Sequence, residues 1–124
     1  MCKFASTVFS GGGNLTDGIT LLHPERIRFA MPACANCSGH GANDAGTPND
    51  DGPPIYIYTG EQDPHRTWTH GKVGGVPGIE PQTDRAVAVL KDKGFTNVKR
   101  EMLPGVKHSS LAAKVWETAD ELER

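Results

Sequence analysis

Every apolar run in this chain is short, and each is cut off by glycine, proline or a polar stretch. Phe4 to Phe9 runs into Ser10-Gly11-Gly12-Gly13, Ile27 to Ala33 into the polar stretch Cys34–Pro54, Ile55 to Thr59 into Gly60, and Val98 to Leu103 into Pro104-Gly105. Runs of this length, rich in β-branched and aromatic residues and bounded by turn formers, predict strands. Between them the apolar period changes. Leu15, Ile19 and Leu22 mark one helical face, stopped at His23-Pro24 because the residue before proline is pushed out of the α region. Ala86, Val87 and Leu90, with Val89 beside them, mark a second face, with Thr83 as its expected N-cap and Gly94 as its closing glycine. Leu111, Val115, Ala119 and Leu122 mark a third. The order strand, helix, strand, loop, strand, loop, helix, strand, helix predicts an α/β fold, a mostly parallel sheet of about four strands with flanking helices.

The length suits a single domain over residues 1–124, without internal repeats. Phe4–Phe9 is apolar enough to be a central buried strand, and nothing upstream in this sequence can pair with its other edge. The expectation is a domain that lacks its N-terminal half, or a chain that associates, for instance as a homo-oligomer, to cover that edge. Thirteen basic and 15 acidic residues, well mixed, leave a net charge of −2 and no electrostatic footprint for nucleic acid or an anionic membrane. No apolar stretch approaches the roughly 20 residues of a membrane helix. The run at Phe4–Phe9 is also too short for the apolar region and cleavage site of a signal peptide. The compartment stays open on these grounds.

The chemistry is concentrated where a strand runs straight into Phe9-Ser10-Gly11-Gly12-Gly13 and then a helix. That is the layout of a nucleophile elbow, in which a serine on a strained turn projects its hydroxyl above the sheet and small neighbours let the helix pass close to the strand. The backbone N–H of Gly11 would face the same space as an oxyanion donor.

With Thr7-Val8-Phe9-Ser10-Gly11-Gly12-Gly13 followed by a helix and His23-Pro24-Glu25-Arg26, the chain resembles the elbow region of esterase-type α/β-hydrolases, most of all the polyhydroxybutyrate-depolymerase and feruloyl-esterase-like branch. Pro54 to Pro64 is similar to the strand and loop that deliver the family's acid at an Asp-Pro, here Asp63-Pro64. Leu90 to Gly94, Asn97-Val98 and Leu103 to Ser109 are similar to its closing helix, strand and histidine loop. The resemblance implies the C-terminal half of a serine esterase that acts on a small-molecule or polymeric ester without cofactor or metal. It assigns Ser10 as nucleophile, His108 as base and Asp63 as acid. One departure stands at Val8, where the family's elbow carries glycine, and a β-branched residue there crowds the crossing of strand and helix. The loop that supplies the family's other oxyanion donor has no counterpart in this sequence.

A competing reading rests on Cys34-Ala35-Asn36-Cys37-Ser38-Gly39-His40-Gly41, similar to one knuckle of the zinc-binding segment of DnaJ-type co-chaperones. Cys34 and Cys37 have the spacing of half a tetrahedral zinc site, with His40 and Cys2 as further candidate ligands. A disulfide across the long loop, or two ordinary thiols, fits the same spacing. The alternative function is then a zinc-binding interaction module or a non-catalytic hydrolase-like remnant. His65, Trp68 and His70 lie near Asp63 in sequence, either bordering a substrate cleft or as exposed loop residues.

Overall fold

A computed structural model describes residues 2–35, 48, 50–67 and 78–124. Four strands, β1 (Phe4–Phe9), β2 (Ile27–Ala33), β3 (Ile55–Gly60) and β4 (Val98–Leu103), form one sheet in the order β1-β2-β3-β4. Every neighbouring pair is parallel. The helices are α1 (Gly13–Leu22), α2 (Ile79–Asp92) and α3 (Ala112–Glu123). When each parallel strand is added on the same side of the last, right-handed crossovers carry the connecting helices to one face. The two apolar clusters follow that rule. Leu21 of α1 and Leu90 of α2 pack with Ile27, Ala30, Ile55, Ile57 and Phe95 on one face. Val115 of α3, with Ala119 and Leu122 beside it, packs with Phe29, Met31 and Tyr56 on the other.

A register slip in β2 explains how Ile27 and Phe29, two residues apart, reach opposite faces. Phe4 pairs with Ile27 but Ala5 pairs with Phe29, so Arg28 is an extra residue that reverses the alternation. In β3 the alternation is regular. Ile55 and Ile57 face α1 and α2, while the Tyr58 hydroxyl crosses the α3 face to share a hydrogen bond with Thr118 Oγ1.

Three expectations from the sequence are corrected. First, β1 is not a buried strand: it lies at the edge of the sheet, its outer side unpaired among the described residues as expected, with Phe4 46% and Phe9 38% exposed. Apolar composition reports what a strand's faces could bury, and it does not say how many strands flank it. Second, the buried side of α1 is Thr16, Thr20 and Leu21, whereas Leu22 is 43% exposed. Small threonines, invisible to an apolar count, face the sheet here, and Thr16 Oγ1 shares a 3.0 Å hydrogen bond with Ser6 Oγ. The side chain of Leu15 lies outside the described residues. Third, α2 starts at Ile79 with Gly78 as its N-cap, so Thr83 is a buried residue inside the helix. Pro81 falls in the first turn, where its missing N–H breaks no intrahelical bond. The end of α2 does follow the sequence. Gly94 has φ 96, its N–H reaches Lys91 O at 3.1 Å, and the Phe95 N–H reaches Leu90 O at 3.0 Å. This pair of bonds is the Schellman motif, and it drops the fully buried Phe95 onto Leu90.

Candidate active site

In a parallel sheet all strands end on the same side, so the segments that leave β1, β2, β3 and β4 meet along one rim. Ser10 leaves β1 with φ 54, in the left-handed region that non-glycine residues rarely adopt. It opens a 3-10 turn, Ser10–Gly12, that continues directly into α1. A Cβ built on Gly12 would lie 3.3 Å from Val8 Cβ. The crossing of strand and helix, crowded by Val8, is thus accommodated by the missing side chain at Gly12. Gly11 is the middle residue of that turn.

Asp63 follows β3. Its N–H bonds to Gly60 O at 3.2 Å and its carbonyl accepts the Arg66 N–H at 3.0 Å, a tight turn around Pro64. The side chain is 1% exposed. Oδ1 accepts the backbone N–H of His65 at 2.8 Å, which leaves Oδ2 directed at Nδ1 of His108, 2.7 Å away.

His108 is carried by the loop after β4, which is laced to the loop after β3. The Glu61 N–H bonds to Leu103 O at 3.0 Å, the Gln62 N–H to Val106 O at 2.9 Å, and the Gly105 N–H to Glu61 Oε2 at 3.3 Å. The histidine loop passes directly over Gly60, where a Cβ would lie 2.4 Å from Val106 O and 2.8 Å from Lys107 O. Any larger residue there would require the loop or the end of β3 to shift. From this support Nε2 of His108 reaches Ser10 Oγ at 3.0 Å. The ring is tilted against Phe9, centroids 4.7 Å apart, and meets His65 edge-on at 4.8 Å.

Ser10, Asp63 and His108 are therefore all brought together, from distant stretches of sequence, in one continuous chain of hydrogen bonds. A carboxylate only accepts, so Asp63 fixes the proton of a neutral His108 on Nδ1 and leaves the Nε2 lone pair facing the serine hydroxyl.

A fourth side chain, which sequence reasoning assigned elsewhere, joins them. Cys34 follows β2 with φ 44, is 0% exposed, and carries a free thiol. Its N–H bonds to Tyr58 O at 2.8 Å, and its thiol lies 3.9 Å from Lys107 O and also interacts with the backbone of Gly60 and Ser109 and with the Asp63 side chain. One ligand atom from each of Cys34, Asp63 and His108 lies within 4.8 Å of the others. Burial pushes the Cys34 thiol above its ordinary pKa, and the Asp63 charge acts in the same direction. The signal that could have found it is position, since Cys34 directly follows the end of β2, on the rim that carries Ser10, Asp63 and His108. Its partners in the zinc and disulfide readings, Cys37 and His40, lie outside the described residues, as do Trp68 and His70, while Cys2 is exposed.

Beside this rim an apolar groove of about 390 Å³ runs between β1 and α3, lined by Thr7, Phe9, Met31, Ser110, Val115 and Trp116 among others. The Trp116 side chain is 72% exposed along it. Among the described residues no helix is long and apolar enough to cross a membrane.

No protein-family model and no curated protein matches this chain. Among solved structures, a carboxylesterase from Bacillus cereus superposes with a TM-score of 0.61 at 13% identity, covering 97% of this chain and 49% of that one. The likeness is one of fold. It supports an α/β-hydrolase-like architecture and not the narrower depolymerase and feruloyl-esterase branch that the sequence motifs resemble. This chain spans about half the length of that carboxylesterase.

Proposed function

We propose that this chain is the nucleophile-bearing half of a serine hydrolase that cleaves carboxylic esters through an acyl-enzyme intermediate. The observation that carries the reading is the hydrogen-bonded series from Asp63 Oδ2 through the His108 ring to Ser10 Oγ, at 2.7 and 3.0 Å. Its support includes the left-handed backbone of Ser10, since strain at a turn that exposes a hydroxyl is a recurrent feature of nucleophiles.

In this mechanism Ser10 Oγ attacks the ester carbonyl carbon as its proton passes to Nε2 of His108. Asp63 holds the ring in the productive tautomer and stabilises the imidazolium that forms. The carbonyl oxygen becomes an oxyanion, with the Gly11 N–H as one donor to it. Collapse breaks the bond to the alcohol, which leaves with the proton from Nε2. Water then repeats the sequence on the acyl-enzyme, giving its proton to Nε2 and releasing the acid as Ser10 recovers its proton.

The test is hydrolysis of p-nitrophenyl acetate followed from the first turnover. A burst of about one p-nitrophenol per chain, absent in Ser10→Ala, is the expected result, because acylation releases the alcohol before deacylation. Steady release without a burst that is equal in Ser10→Ala would set the proposal aside in favour of a non-catalytic, hydrolase-like remnant.

A further inference from the structure

We propose that Cys34, Asp63 and His108 form an inhibitory binding site for zinc. The three side chains follow three adjacent strands, β2, β3 and β4, so the sheet itself fixes their spacing. Their ligand atoms lie within 4.8 Å of one another. A tetrahedral zinc ion with bonds of about 2.0–2.3 Å holds its ligand atoms about 3.3–3.8 Å apart, so side-chain rotations of roughly an ångström close the site. Thiolate, imidazole and carboxylate together form the mixed donor set that suits zinc and excludes the hard cations calcium and magnesium.

Charge favours the same ion. The Cys34 thiol is fully buried, has no part in the acyl-transfer mechanism, and interacts with the Asp63 side chain beside it. On binding, it loses its proton to solvent as a divalent cation enters. The thiolate and the Asp63 carboxylate then balance the two positive charges, so the buried complex is neutral. His108, 22% exposed, is the member through which an ion reaches the site and the side on which a water completes the coordination.

Inhibition follows whichever ring nitrogen binds. An ion on Nδ1 binds the other tautomer of the neutral ring, whose single N–H proton has moved to Nε2, facing Ser10, where it blocks base action. An ion on Nε2 displaces the serine hydroxyl. The inhibitory half rests on the proposed hydrolase reading, and the binding half does not.

Cobalt(II), the spectroscopic substitute for zinc, separates the two when titrated into the full chain. The expected result is one cobalt per chain with a thiolate-to-cobalt charge-transfer band, displaced by one equivalent of zinc. Cys34→Ser and His108→Ala each remove the band or weaken binding at least about tenfold, while Cys37→Ser retains both. His108→Ala changes a partly exposed loop residue and decides the matter if Cys34→Ser does not fold. No band in the native sequence, or a band that survives His108→Ala and disappears in Cys37→Ser, overturns the site. In the second arm zinc abolishes p-nitrophenyl acetate turnover and a chelator restores it. A cobalt band without zinc inhibition of a measurable turnover overturns the inhibitory role alone. Absence of all turnover overturns that role together with the hydrolase reading, while the band still decides the site.

Discussion

Replacing Asp63 with asparagine is expected to lower ester turnover by about 10⁴-fold, the loss that follows when a triad carboxylate becomes an amide. Asp63 is buried, with Oδ1 held by the His65 N–H and Oδ2 facing His108 Nδ1. In Asp63→Asn the oxygen still accepts from His65, so the amide nitrogen takes the place of Oδ2 and can only donate. His108 must then present its Nδ1 lone pair and carry its proton on Nε2, toward Ser10, where it cannot act as base. The substitution nearly conserves volume, so the circular dichroism spectrum should be unchanged. The fall should appear in kcat and in kcat/KM alike, the signature of an interaction made in the transition state. A loss smaller than about tenfold would reduce Asp63 to a turn residue before Pro64.

The second large effect is expected at Gly60. A Cβ there meets the carbonyl oxygens of Val106 and Lys107 at 2.4 and 2.8 Å, and these are backbone atoms that cannot rotate away. Gly60→Ala must therefore lift the loop that carries His108 or displace the end of β3. The expected loss of stability is about 3 kcal/mol, the upper part of the range for overpacking. Its effect on the site goes further, because a shift of about 1 Å in a catalytic group costs about 100-fold in rate. Gly18→Ala is the control, since a Cβ there meets nothing within 4 Å and alanine is the better helix former. Urea unfolding and turnover measured on both variants should show Gly60→Ala impaired in each and Gly18→Ala in neither. Equal behaviour of the two variants would mean that the close approach of the loop to β3 does not position His108.

These expectations depend on features that were unequally legible in the sequence. The limits of β2 and β4 follow from their composition and flanking turn formers, and the end of α2 follows from Gly94. Ser10 could be picked out from the strand-to-glycine layout of an elbow, and Asp63 and His108 from the resemblance of their loops to those of esterase-type α/β-hydrolases. The unpaired edge of β1 was legible but its exposure was not, since apolar composition reports what a strand could bury and not what covers it. The threonine face of α1 was missed because an apolar period does not register Thr16 and Thr20, which are buried. Cys34 was read along the chain, with Cys37 as its natural partner. Folding instead turns its thiol across the sheet toward residues of the loops after β3 and β4, and sequence spacing carries no record of that. Nor did glycine at position 60 reveal that another loop lies on it.

The most direct test is reaction of the chain with a fluorophosphonate, followed by intact mass measurement and mapping of the modified peptide. Such a probe reports the activated hydroxyl itself, whatever ester the protein takes. One adduct per chain on Ser10, absent in Ser10→Ala and strongly slowed in His108→Ala, is the result this account predicts. A chain that stays unmodified under conditions that label a serine esterase, or that is labelled equally in His108→Ala, would contradict it.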